Sequence, residues 1–216
     1  MAVKNNCDNM HAKMSYYYGY INGRSNMVLS KINFVPPNRF DFVYSNLWKV
    51  EVPNKVKAFG WRCFKNKIPT RDSLLKKGIL LASLNLMCVF CDEVSESPSR
   101  SFMMCRHSGK VWKDMAEWIG MDYCNPMDFK ESFWVWSSFC HQKKVKKGKE
   151  GVVWLAILWS LWLSRNEIIF NSSPCNAHDL IWSCKVLVWR WSGIEKITHP
   201  NCNFYELSKN PLFYLS

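Results

Sequence analysis

Cys88 and Cys91, with two residues between them, and Cys105, fourteen positions further on, are the side chains in this sequence whose types and spacing define a chemistry. A Cys-x-x-Cys turn curls so that both thiolates can reach one metal ion, and a structural zinc site takes four such donors in a tetrahedron. Cys105 can supply the third. Spacing leaves the fourth open among His107, Asp92, Glu93 and Glu96, with His107 the simplest choice although one residue separates it from Cys105. The bland reading is that a Cys-x-x-Cys among ten cysteines is a chance pairing of core residues. A redox role is weaker still, because no thioredoxin-like strand precedes the pair.

A basic helical hairpin stands directly before the cysteines. Pro53 suits the first turn of a helix, and Val56, Phe59 and Cys63 follow at helical spacing while Lys55, Arg62 and Lys65 point elsewhere. Pro69 ends that helix. Thr70 is a candidate N-cap for a second, short one, with Asp72 in its first turn, Lys76 and Lys77 in its last and Gly78 just beyond. Between Leu47 and Ile79 nine basic residues (Lys49, Lys55, Lys57, Arg62, Lys65, Lys67, Arg71, Lys76, Lys77) face only Glu51 and Asp72. Such a patch is either a solvated surface or a phosphate-binding one, since releasing counterions from nucleic acid favours binding to any dense set of cations.

Downstream, the spacing of Val111, Met115, Trp118 and Ile119 predicts a helix over about 108–119, stopped at Gly120. Residues 121–150 read as irregular, with an aromatic knot at Phe133, Trp134 and Trp136. The lysine cluster Lys143, Lys144, Lys146, Lys147 and Lys149 closes that stretch and is the best linker candidate. Two helices then follow. One covers about 151–170 and is apolar nearly all round, which predicts burial on most sides. The other starts near Asn176, presents Ile181, Cys184, Val188 and Trp191 on one face, and closes at Gly193. Its tryptophans, and those at 154, 159 and 162, read as core packing rather than as base-stacking platforms.

The chain has 216 residues, is 48% hydrophobic, contains 12 tryptophans and carries a formal net charge of +12. That apolar content excludes intrinsic disorder, and the charge selects nucleic acid as the first partner to consider, ahead of an anionic membrane. Met1 to Asn26 holds no apolar signal-peptide core, so the cysteines are expected in a reducing compartment as thiols or metal ligands. The longest apolar run, Gly151 to Leu163, is shorter than a membrane span needs. No Tyr-x-Asp-Asp, P-loop, HExxH or nucleophile-elbow signature occurs. His11, His141, His178 and His199 are scattered and read as surface or cap residues.

The stretch from Leu47 to Arg62, with its Leu-Trp-Lys, Val-Pro, Lys-Val and Trp-Arg pairs, resembles the opening of the zinc-binding domain of reverse transcriptases of plant non-LTR retrotransposons. Lys67-Ile68-Pro69-Thr70-Arg71-Asp72-Ser73-Leu74, the Cys88, Cys91 and Cys105 set, and Val111-Trp112 are similar to successive segments of the same domain. Trp159, Trp162, Arg165 and Asn166 resemble a helix found downstream of it, so the resemblance covers about 42–212. One position departs: the family usually has a histidine five residues before the last cysteine, and Arg100 stands there. A guanidinium has no lone pair to give zinc.

The resemblance implies a mainly α fold: a small helical domain with a zinc-knuckle-like cysteine loop, then a tryptophan-rich helical region. The expected division is a tail over 1–40, the zinc-binding-like domain over 41–142, a basic linker over 143–150 and a helical region over 151–216. It implies zinc as cofactor, with Cys88, Cys91, Cys105 and His107 as ligands. It implies RNA or DNA as a partner bound without sequence preference through Lys55, Lys57, Arg62, Lys65, Lys67, Arg71, Lys76 and Lys77. Neither a membrane, a small-molecule substrate nor a catalytic activity is expected, and the place of action is intracellular, the charge hinting at the nucleus. The alternative is a retroelement remnant kept for structure or interaction, with no biochemical task.

Overall fold

A computed structural model describes residues 39–81, 85–121, 128–146, 148–149, 151–173, 176–193 and 203–215. Phe40–Ser216 is one compact unit, and Met1–Arg39 is counted apart from it. The expected tail over 1–40 lies outside the described residues except at its last two positions.

The fold is mainly helical. Helix α1 runs Arg39–Lys49, α2 Asn54–Phe64 and α3 Arg71–Lys76. The cysteine loop and one π-helical turn, Arg100–Met104, lead into α4, Arg106–Trp118. Then come α5 (Phe129–Gln142), α6 (Val152–Asn171), α7 (Ala177–Trp191), α8 (Phe204–Lys209) and α9 (Pro211–Leu215).

Helix α6 is the axle. Every residue from Val152 to Leu158 is buried, as are Ser160, Leu161 and Arg165, and α2, α4 and α7 pack around it. By length and composition alone α6 could cross a membrane, but 56% of that span is buried inside the fold. The centre is aromatic: Trp154 lies against Phe64, Phe133 and Trp112, and Trp112 meets Trp136 edge-on with centroids 5.3 Å apart. Of its three buried indoles, Trp112 donates through Nε1 to Phe102 O at 2.7 Å and Trp154 through Nε1 to Ser132 Oγ at 2.9 Å, while Trp136 Nε1 has no partner among the described residues. Each fully buried large side chain contributes about 1.5–3 kcal/mol through loss of apolar surface, so this cluster is the main stabilising feature of the fold.

Residues 121–150, read from the sequence as irregular, contain a 14-residue helix, α5. Asp128 caps it by accepting from the N–H groups of Lys130 and Glu131, and Phe129, Ser132, Phe133, Trp136 and Cys140 form its buried stripe. The aromatic knot is that stripe. Polar and aromatic residues alternate closely there and blur the period, but Asp128 followed by Glu131 was a legible start signal.

The lysine cluster does not separate two cores. Val145 and Gly148 are buried, Glu51 N–H donates to Gly148 O at 2.9 Å, and Lys146 N–H to Leu215 O at 2.9 Å. Lys149 pairs with Glu51. A single hydrophobic cluster runs from Val43 through Leu161 to Leu215. The lysine spacing looked like a linker because lysine heads stay in water even where the backbone between them is packed.

Candidate metal centre and basic surface

The cysteine loop is a narrow knuckle. Cys88 N–H donates to Val94 O at 2.7 Å, Glu96 N–H to Leu86 O at 2.8 Å, and Met87 forms an antiparallel bridge with Ser95. Between these rungs the chain turns sharply, Asp92 N–H reaching back to Cys88 O at 2.8 Å, with Asp92 itself left-handed at φ 51°. The turn carries Cys88 and Cys91 on its inner side. Cys105 arrives from the other direction, at the N-cap of α4. The ligand sulfurs of Cys88, Cys91 and Cys105 all lie within 4.8 Å of one another.

Three mutually close thiols on a Cys-x-x-Cys turn and a helix N-terminus are a donor set that can hold a metal ion, and soft sulfur favours zinc over harder cations. The electrostatics favour thiolate at one of them already. Cys88 is held down at about 5, chiefly because it accepts a hydrogen bond from Cys105, with the backbone N–H groups of Phe90 and Cys91 adding to this against the cost of burial. Cys105 is pushed far up by donating to Cys88, although the N–H groups of His107 and Ser108 at the start of α4 oppose the rise. The two sulfurs thus share a proton that a metal would displace.

The candidates for a fourth donor fare differently. Glu96 is fully buried and committed elsewhere: its carboxylate accepts from Arg165 Nε at 2.7 Å, Arg165 Nη2 at 2.8 Å and Arg71 N–H at 2.8 Å. Glu93 pairs with Arg106 at 2.8 Å on the outside. Asp92 is exposed and within 3.5 Å of Asn85 Nδ2. His107 is half-buried in the first turn of α4, and its ring is not one of the donors that converge with the three sulfurs. Arg100 is exposed, and its guanidinium donates to Ser95 Oγ at 2.9 Å. Its carbonyl accepts from Cys105 N–H at 2.7 Å across the π-helical turn, so positions 100 and 105 are stacked one turn apart.

The knuckle is fixed to the helical core by arginines. Arg71 donates through Nη1 to Met87 O at 2.8 Å, and Asp72 N–H to Glu96 O at 3.1 Å. Glu96 thereby caps α3 from a distance. Thr70, the expected cap, bonds its hydroxyl to Ser73 Oγ instead.

The eight basic residues predicted to touch nucleic acid fall into groups. Arg71 is half-buried and braces the knuckle. Lys76 is neutralised by Asp72 at 2.9 Å. Lys77 is exposed at the end of α3, and Lys67, also exposed, lends its carbonyl to Arg62 Nε at 3.4 Å. Lys55, Arg62 and Lys65 lie on the outer face of α2, while Lys57 donates to Trp48 O at 3.2 Å. Among the described residues, Lys55, Lys57, Arg62, Lys65, Lys67 and Lys77 have no carboxylate partner, whereas Lys110 and Lys113 on α4 are matched by Asp114 and Glu117. Of the tryptophans read as core, Trp154 is buried and Trp159, Trp162, Trp189 and Trp191 are partly so. Trp182 departs, being 53% exposed with its ring edge-on to Phe204.

The family model described as zinc-binding in reverse transcriptase matches residues 26–112. That stretch holds α1 to α3, the knuckle, the π-helical turn and all three clustered cysteines, so the sequence of a reverse transcriptase zinc-binding domain and the geometry of a thiol metal site coincide. The match begins at residue 26, upstream of the resemblance read from the motifs, and covers less than half of the chain. No curated protein and no solved structure matches the chain.

Proposed function

We propose that the chain is a non-catalytic nucleic-acid-binding module derived from the reverse transcriptase of a plant non-LTR retrotransposon, with a structural zinc ion on Cys88, Cys91 and Cys105 and with α6 to α9 as its companion helical tail. The zinc would tie the knuckle to the N-terminus of α4, and His107 or water would complete its shell. RNA or DNA would lie on the outer face of α2, held by phosphate contacts and without sequence preference. It would act inside the cell, in the nucleus.

One observation carries this reading: the cations of α2 are left without carboxylates, while Lys76 on α3 and Lys110 and Lys113 on α4 are matched by acids one turn away. Unmatched cations on a rigid helix are what phosphate binding requires, because each contact releases a condensed counterion. Titrating a labelled RNA or DNA strand at rising salt tests it. Affinity should fall steeply with salt, and Lys55→Ala, Arg62→Ala and Lys65→Ala together should flatten the slope of log K against log salt by about 2 units. Undetectable binding at low salt would sink the reading.

A second reading has one specific observation behind it. Arg100 occupies a ligand position of the family and turns to Ser95. That favours a remnant retained for structure or interaction, which would bind neither zinc nor nucleic acid.

A further inference from the structure

Helices α1 and α2 cross closely at Leu47 and Gly60. A Cβ on Gly60 would lie 3.1 Å from Leu47 Cδ1 and 2.9 Å from Leu155 Cδ2, so the glycine allows α1, α2 and α6 to meet at one point. The next residue after each partner in the crossing is a tryptophan, and neither is packed away: Trp48 is 50% exposed and Trp61 38%. The inward positions are filled by Val43, Leu47, Val56, Phe59 and Cys63, so both indoles belong to the outer surface.

Their surroundings are cationic. Lys57 reaches back to the carbonyl of Trp48 at 3.2 Å. Lys55, Arg62 and Lys65 share the exposed face of α2 with Trp61. On the other side, Glu51 N–H bonds Gly148 O, and a Cβ on Gly148 would stand 3.2 Å from Lys49 O. This seam brings the backbone at Gly148 and the side chain of Lys149 against the end of α1. Glu51, the acid on the seam, is taken by Lys149.

We propose that Trp48 and Trp61 are base-stacking platforms for a single-stranded nucleic acid whose phosphates follow the cations of α2. The inference rests on the nucleic-acid reading and narrows it to single strands. An indole face stacks on any base and therefore suits sequence-tolerant binding, while a duplex keeps its bases inside and offers the same indoles only its backbone. The cations of α2 are what distinguish this surface from an apolar docking patch for a protein, which is depleted of lysine at its centre.

The test uses the full chain, an oligo-dT single strand and a duplex of equal charge, with Trp48→Leu, Trp48→Phe and Trp61→Leu variants whose melting curves match the parent. Each leucine variant should bind the single strand about tenfold more weakly. The phenylalanine variant should keep most of the affinity, and neither the salt slope nor duplex binding should move. Leucine variants that bind the single strand as well as the parent, or lose equally on strand and duplex, overturn stacking while leaving the nucleic-acid reading intact. Phenylalanine no better than leucine also overturns it and points to a protein-facing surface. A parent chain that binds neither probe at low salt removes both proposals together.

Discussion

Arg165 grips Glu96 with both Nε and Nη2, at 2.7 and 2.8 Å, and the two side chains are 5% and 0% exposed. The pair joins the axle helix α6 to the cysteine knuckle, and Glu96 passes the link on to the first N–H of α3. A buried bidentate pair is costly to desolvate, so its net contribution is small compared with the cost of breaking it. Arg165→Met should therefore lower stability by about 3–5 kcal/mol, because it strands the carboxylate. Adding Glu96→Gln should recover part of that loss. Urea denaturation of the three proteins measures it; a loss below about 1 kcal/mol in the single variant would show that the pair does not hold the loop.

The thiols give the metal-free protein a pH dependence of definite sign. Cys88 is held down at about 5, against about 8.5 for an unfolded cysteine. Between those values the unfolded chain binds a proton that the folded chain does not, so stability rises with pH and is lost as pH falls through about 5. Cys105, pushed up, acts oppositely: its contribution is present below the unfolded value and fades as pH climbs past it. Denaturation in a chelator should show stability growing from about pH 5 to about pH 8. Cys88→Ser should flatten that rise, and a rise that persists in the variant would place its source elsewhere.

Arg100 and Cys105 are joined across the π-helical turn, Cys105 N–H to Arg100 O. A histidine at position 100 would stand one turn from a ligand sulfur with a lone pair to offer. Arg100→His should raise zinc affinity about tenfold, as adding a missing donor or its equivalent support commonly does. Competition against a chromophoric chelator reads this directly. Unchanged affinity in Arg100→His, together with a loss in His107→Ala, would assign the fourth place to His107.

Gly151 tests whether the segment after the lysine cluster is packed. A Cβ there would lie 2.7 Å from Val50 Cγ2 and 2.8 Å from Phe133 Cε2. Gly151→Ala should destabilise by about 1–3 kcal/mol through overpacking, to which alanine's poorer fit at the N-cap that Gly151 holds adds a little. A neutral or stabilising effect would mean that α5 and α6 are free to move apart.

What the sequence determined by itself was local. The apolar periods and their punctuation placed α2, α3, α4, α6 and α7, and Gly78, Gly120 and Gly193 close three of these with φ near +70°. Cys88, Cys91 and Cys105 were legible because a metal turn is a short-range pattern, and they do converge. Helix α5 was missed where closely spaced aromatics blurred the period. Only the tertiary structure decided which charges are used up and which are left over. Glu96 read as a possible metal ligand until Arg165, distant in sequence, was seen to take it. Lys149 read as linker until Glu51 met it across the Gly148 seam. Trp48 and Trp154 are the same residue type, yet one is half-exposed and the other wholly buried. Periodicity follows from the geometry of one helix, whereas the pairing of a charge or the exposure of an indole depends on which helix packs beside it.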